Sequence, residues 1–302
     1  FVETQELNYG RNPLANTLGD RFMAVLKAAH EKTGLGAVVL IDEYDKPLLD
    51  VLDTGLKTFD SEGNERLLED RHREIMKGFY SVFKAADRDL KFVLLTGVTK
   101  FSQVSVFSGF NQPDDISMDD RYEALCGITE EELYSVFDEQ IKAMAARYKV
   151  SEDEMKYRLK RKYDGYHFSP SMLDIYNPFS LINALDTQDL NSYWASSGAT
   201  SMLPKFIKDA ELRLPDFEDC MILRNTLETS DVTGGGPELF LYQSGYLTIK
   251  SCVGNVYHLG FPNEEVKQAL YECVLPALTM RQEADTQSLQ AQLYQYLEYK
   301  EL

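Results

Sequence analysis

Two apolar runs of strand length bracket a helical stretch, and this arrangement restricts the fold more than any other feature of the chain. Residues 37–41 read Ala-Val-Val-Leu-Ile, and residues 91–98 read KFVLLTGV. Continuous apolar runs of this length suit strands buried on both faces. Between them, residues 64–87 offer Leu67, Leu68, Ile75, Phe79 and Phe83 for the core face of a helix. Another helix is predicted over 18–31, where Leu18, Phe22, Val25, Leu26 and Ala29 recur at helical spacing before a turn over Lys32–Gly36. Two buried strands joined through a helix make a βαβ unit, so the expected class is α/β with a parallel sheet. Ligands of such sheets bind beyond the carboxyl ends of the strands.

Both carboxyl ends are polar. The first strand runs into Asp42-Glu43-Tyr44-Asp45, the second into Thr96-Gly97-Val98-Thr99-Lys100. An apolar strand ending in Asp-Glu is the pattern that nucleotide hydrolysis requires. One carboxylate holds magnesium, largely through water, and the next polarises the water that attacks the γ-phosphate. Neighbouring side chains on a strand point to opposite faces, so an adjacent pair can cooperate only where the chain leaves the strand. Asp42 and Glu43 stand at such an exit, and Thr96, Thr99 and Lys100 are placed to sense the γ-phosphate. The plainer alternative is an acidic strand-end cap beside a Thr-Gly strand closure.

The texture changes after about residue 125. Thr129 with Glu132, and Ser151 with Glu154, have the spacing of capping boxes. Asn177 before Pro178 marks another helix start, so residues 129–210 read as mostly helical. A Gly-rich break, GGGPE at 234–238, is expected to be a linker or boundary. After it come a short helix, a strand ending near Cys252, a Gly254-Asn255 turn, a returning strand, and a helix from about Asn263. That order suggests a small winged-helix-like module. The expected segments are 1–128 for an α/β core, 129–233 for a helical lid-like region, and 234–302 for the module and a C-terminal helix.

The 302 residues carry 31 basic and 49 acidic side chains, a formal net charge of -18. Such a surface repels a phosphate backbone, so nucleic acid is expected to bind only through domains outside this chain. Cys126, Cys220, Cys252 and Cys273 are scattered and lack C-x-x-C spacing, which argues against a zinc knuckle or a disulfide framework and suits a reducing cytoplasm. No apolar run reaches membrane-spanning length, and no signal peptide opens the chain.

Several stretches together carry a family resemblance: VVLIDEYDKPLLD, LKFVLLTGVTKFSQVSVFSGFNQPDDISMDDRYEALCGITEEEL, YDGYHFS with IYNPFSLINAL, YWASSG, and LYQSGYLTIK with YHLGFPNEEV. In this order, over nearly the whole chain, they resemble the AAA-ATPase-like family of bacterial, Bacteroidetes-type proteins. The resemblance implies a P-loop ATPase core, a helical region, a winged-helix-like piece and often a restriction-endonuclease-like nuclease domain. It implies that Asp42-Glu43 is the Walker B pair, with Asp42 on the metal and Glu43 on the water. Thr96–Lys100 becomes the sensor region, and ATP with Mg2+ the cofactors of the full-length parent.

The chain departs from that pattern in one respect that bears on activity. The phosphate loop G-x-x-x-x-G-K-[ST], whose backbone amides and Lys cradle phosphates, is not in the sequence, and EKTGLG at 31–36 has the letters in the wrong order. The chain, which opens on Phe1, therefore reads as a core truncated at its N-terminus, with weak or absent ATP binding of its own. The nuclease domain is also missing. Its Glu-x-Lys signature occurs at Glu154–Lys156, Glu265–Lys267 and Glu298–Lys300, of which the first two fall in solvent-facing helices and the third has no strand around it. The basic cluster Lys156, Arg158, Lys160, Arg161 and Lys162 either supplies a lid arginine or balances the acids at 152–154 on a solvated helix face. His167 reads as a packed turn histidine, and Trp194 as core. Three functions follow from this reading: a fragment of an ATP-hydrolysing protein, whose expected partners are a nucleotide and a further copy or partner protein; a non-catalytic regulatory or interaction module; and a nucleic-acid-associated winged-helix protein.

Overall fold

The structure, a computed structural model, describes residues 1–52, 54–60, 62–98, 113–197, 217–229 and 236–279. It is a mixed α/β architecture with one small parallel sheet and three antiparallel ones. The chain divides into two compact units, Phe1–Asp114 with Thr229–Gly234, and Asp115–Glu228 with Gly235–Leu302. Among the described residues no helix is long and apolar enough to cross a membrane.

In the first unit, helices α1 (Val2–Tyr9) and α2 (Leu18–Thr33) precede strand β1 (Ala37–Ile41) and the short helix α3 (Lys46–Leu49). A hairpin of β2 (Lys57–Phe59) and β3 (Glu65–Leu67) follows, then α4 (Leu68–Tyr80), α5 (Val82–Ala85) and β4 (Leu90–Leu95). The start of α2 is fixed by chemistry. Thr17 accepts from the Asp20 amide, Asp20 accepts from the Thr17 amide, and the two satisfy helix-end donors reciprocally. The buried face of α2 carries Phe22, which stacks on Phe79 at 4.8 Å and meets Phe83 edge-on at 5.9 Å. These aromatic contacts tie α2 to α4 and α5 and back the sheet.

β1 and β4 run parallel, with Val38 beside Phe92, Val39 beside Val93, Leu40 beside Leu94 and Ile41 beside Leu95. The βαβ expectation holds for this pair. The expectation of burial on both faces does not hold among the described residues. Val39 is buried on one face, while Val38, Leu40 and Phe92 on the other are more than half exposed. Alternate residues of a strand face opposite sides, and no described element covers the second side. The helix expected over 64–87 also differs. Glu65–Leu67 is a strand because Asp60 organises a tight turn, accepting from the amides of Glu62 at 2.9 Å and Asn64 at 2.8 Å. Phe83 is core as expected and Phe79 is half-buried against Phe22, but Leu67 and Ile75 are exposed, and Met76 and Tyr80 take their place.

The second unit begins with a helical cluster. Short strands β5 (Ile128–Thr129) and β6 (Ile175–Tyr176) pair antiparallel, flanked by α6 (Glu130–Val136), α7 (Asp138–Tyr148), α8 (Glu152–Tyr163) and α9 (Pro178–Thr187). The caps read from sequence are present: Thr129 with Glu132 as a capping box, the Ser151 hydroxyl on the Glu154 amide, and Asn177 on the Ser180 amide with Pro178 in the first turn. Leu133, Ile141, Met144, Met155, Leu159, Tyr163 and Tyr176 form the core between these helices.

The rest of this unit comprises β7 (Cys220–Leu223), α10 (Arg224–Thr229), α11 (Gly236–Gln243), β8 (Thr248–Val253), β9 (Val256–Gly260) and α12 (Glu264–Thr279). The helix, hairpin and helix expected after the Gly-rich break occur in that order, with Gly254 at φ 59° in the turn. β7 adds a third strand on the far side of β9, giving the order β7-β9-β8. Trp194 is buried and meets Tyr246 edge-on at 4.7 Å, in keeping with a core residue.

Gly165 joins the helical cluster to the hairpin. Its φ is +93°, and a Cβ placed there would lie 2.2 Å from the Pro262 carbonyl oxygen. Gly254 shares the positive φ but has open space around it. Gly165→Ala is therefore expected to cost roughly 3 kcal/mol in urea unfolding, against about 1 kcal/mol for Gly254→Ala. Equal costs would mean that backbone conformation alone, and not close packing, makes Gly165 necessary.

Candidate functional site at the carboxyl ends of the parallel strands

The parallel ladder continues past the last strand residues. The Thr96 amide donates to the Ile41 carbonyl at 2.8 Å, and the Tyr44 amide donates to the Thr96 carbonyl at 2.9 Å. Thr96 also acts through its side chain, its hydroxyl donating to Asp42 Oδ1 at 2.5 Å. The same carboxylate oxygen accepts from the Glu43 amide at 3.0 Å. Asp42 is thus fixed by two donors while its carboxylate stays exposed. Glu43 follows with φ +51°, a left-handed conformation that non-glycine residues adopt at a cost. This residue is the exit from the strand, so Asp42 and Glu43 are freed from strict up-and-down alternation. The Glu43 carboxylate is exposed and makes no hydrogen bond among the described residues.

Beneath this edge the packing is close. Asp45 is fully buried at the start of α3. A Cβ on Gly97 would lie 2.6 Å from Asp45 Oδ1 and 2.6 Å from the Tyr44 ring. Tyr44 meets Tyr80 edge-on at 6.5 Å, and the Tyr80 hydroxyl donates to the Tyr44 carbonyl at 3.3 Å. Burial, with the nearby charge of Asp45, pushes the Tyr80 phenol up to about 12, which keeps it a neutral donor.

Of the residues picked from sequence, Asp42 and Thr96 are in direct contact and Glu43 is adjacent, whereas Thr99 and Lys100 lie outside the described residues. Sequence reasoning missed Tyr44, Gly97 and Tyr80. The signal available was the Thr-Gly pair itself, since a glycine after a strand marks close backbone approach as often as a stop. Among the described residues, no group of three or more His, Cys, Asp or Glu side chains is arranged to hold a metal.

The basic cluster on α8 is largely spent on ion pairs. Arg158 pairs with Glu154 at 2.7 Å, Lys162 donates to the Leu190 carbonyl at 2.8 Å, and Arg161 bonds Glu264. Lys160 reaches Glu130 at 3.3 Å, Asp174 at 3.2 Å and Asp164 at 3.6 Å. This is the balancing role, with the partners drawn from well beyond residues 152–154. His167 is a packed turn histidine: Nδ1 lies 2.7 Å from the Ile249 carbonyl and Nε2 lies 2.7 Å from Asp174 Oδ1. Glu154 and Glu265 of the Glu-x-Lys matches are helical, as expected. Glu265, however, is buried and not solvent-facing, because its carboxylate accepts from the amides of Tyr193 and Trp194.

Comparison with known proteins bears on the first unit most directly. Residues 1–107 match the AAA-ATPase-like family, described as predicted AAA-ATPase. The match covers β1, its acidic end, and β4 with Thr96. Over 272 residues, 87% of the chain, the sequence is 34% identical to an uncharacterized protein in the vnfD 5' region of Azotobacter chroococcum mcd 1. The chain spans about half (48%) of that relative's length. No solved structure matches.

Asp164, in the YDGYHF stretch, is a buried carboxylate with a raised pKa. Burial pushes it up to about 6, against the opposing pull of the Gly165 amide and of Lys160 at 3.6 Å. An acid with a raised folded pKa takes up a proton on folding between about pH 4 and 6, so stability falls as pH rises through that window. Asp164→Asn is expected to raise stability by roughly 2 kcal/mol at pH 7.5 and to change it little at pH 4. Chemical denaturation at the two pH values checks this; a loss at pH 7.5 would show that the ionised carboxylate is needed beside Lys160.

Proposed function

We propose that the acidic end of β1 is the magnesium- and water-handling edge of an ATP-hydrolysing site. The observation that carries this reading is the 2.5 Å hydrogen bond from the Thr96 hydroxyl to Asp42, which joins the carboxyl ends of two parallel strands. The match of residues 1–107 to a predicted AAA-ATPase family supports it. Asp42 would hold the hydrated magnesium, which would supply positive charge against that developing on the phosphate.

The roles of the residues follow from their placement. Asp42, held by Thr96 and the Glu43 amide, would offer its exposed carboxylate to the hydrated ion. Glu43 has an exposed carboxylate with no hydrogen-bond partner among the described residues, so its oxygens are open to an attacking water. It accepts the proton as water attacks the γ-phosphorus, and the bond to the β–γ bridging oxygen breaks to leave ADP and inorganic phosphate. Thr96 touches Asp42 and faces the same edge, so it can report phosphate loss back to β4; Thr99 and Lys100 are assigned to the same sensor segment. The phosphate loop is not in this sequence, so in this reading the triphosphate contacts come from residues outside the 302 and this chain alone binds ATP weakly. The order α11, β8, β9, α12 supports a winged-helix-like reading for the end of the second unit.

The test uses the natural protein and its Glu43→Gln and Asp42→Asn forms, measuring Mg2+-dependent ATP turnover and the nucleotide retained after gel filtration. Glu43→Gln is expected to lose at least about a hundredfold in turnover while keeping ATP bound, and Asp42→Asn to lose Mg2+-dependent binding as well. A natural protein that neither binds nor hydrolyses ATP would refute the proposal.

A further inference from the structure

The Glu43 carboxylate is in no hydrogen bond among the described residues, yet its backbone is held in a left-handed conformation that such a residue does not choose unaided. Something on either side must impose it. On one side Asp42 is tied to Thr96. On the other, the Tyr44 amide is tied to the Thr96 carbonyl, and the Lys46 amide donates to the Glu43 carbonyl at 3.0 Å. A Cβ on Gly97 would stand 2.6 Å from the Tyr44 ring and 2.6 Å from Asp45 Oδ1, so the ring packs where no side chain would fit, with Tyr80 edge-on behind it. Tyr80 is itself buried on α4 and bonds the Tyr44 carbonyl.

The geometry points to Tyr44 and Gly97 as positioning residues: the ring of Tyr44, seated on the bare backbone of Gly97, locks the turn that stations the Glu43 carboxylate beside Asp42. This inference rests on the ATPase reading for its functional consequence but not for its structural content. The lock has two halves of opposite character. Tyr44 supplies bulk, and Gly97 supplies the absence of it. Removing the bulk or filling the space should therefore have the same effect, because both release Tyr44 from Thr96 and let Glu43 relax toward ordinary backbone. A displacement of about 1 Å in a general base is enough to cost one to two orders of magnitude in rate without weakening substrate binding. Tyr44→Phe keeps the ring and should keep the lock.

Two measurements on the natural protein test this. Steady-state ATP turnover of Tyr44→Ala and Gly97→Ala is expected to fall about tenfold or more with the KM for Mg-ATP within about threefold of wild type, while Tyr44→Phe stays within about twofold. Exchange of the Tyr44 amide, followed by NMR, is expected to speed up about tenfold or more in both disabled forms and not in Tyr44→Phe. Wild-type turnover together with an unchanged amide in Tyr44→Ala would overturn the inference. Absence of turnover in the wild type would instead sink the ATPase reading, and the amide exchange would still decide whether the lock exists. If Gly97→Ala fails to fold, Tyr44→Ala, which adds no bulk, carries the test.

Discussion

Thr96 makes three bonds at the end of the parallel sheet, and the candidate site depends on them. Its amide holds the Ile41 carbonyl, its carbonyl holds the Tyr44 amide, and its hydroxyl holds Asp42. A parallel strand pair normally fixes only backbone register. Here one residue fixes backbone before the turn, backbone after it, and the acidic side chain within it. Glu43 is left as the residue between two anchored neighbours, in a conformation it would not otherwise hold. Backbone strain of this kind persists only where the surroundings over-determine it, and it concentrates at functional positions.

The second unit solves a different problem with the opposite chemistry. Its helices bury an apolar core, but polar groups are packed around it: Asp164 beside Lys160, His167 between Ile249 and Asp174, and Glu265 under two backbone amides. Buried charges are weak sources of stability and costly when one partner is removed. Arg161 on α8 bonds Glu264 on α12, and His167, just beyond α8, lies against the Ile249 carbonyl of β8. In Asp164 that arrangement leaves a carboxylate whose burial works against it near neutral pH.

How far the sequence foretold this depended on whether a feature was local. The caps at Thr129, Ser151 and Asn177 are set by side chains within three residues of the amides they bind, so reading them needed no tertiary knowledge. β1, β4 and the Gly254 turn were equally legible, from apolar runs and turn chemistry. The burial of Glu265 was not, because its partners Tyr193 and Trp194 lie more than seventy residues away. The hairpin at 57–67 was hidden by helix-compatible spacing that the Asp60 turn overrides. At the site, Asp42, Glu43 and Thr96 stood out by type and position. Tyr44 and Gly97 did not, since their importance is a contact between chain segments that composition does not reveal.

The account turns on whether nucleotide and metal meet this particular edge. The direct measurement is paramagnetic broadening by Mn2+-ATP in the isotopically labelled natural protein, with Mg2+-ATP as the diamagnetic reference. The account predicts selective loss of the amide signals of residues 41–44 and 95–97, abolished in Asp42→Asn. Broadening centred instead on the cavity of about 390 Å3 lined by Arg161, Lys250 and Lys267, or none at all, would contradict it.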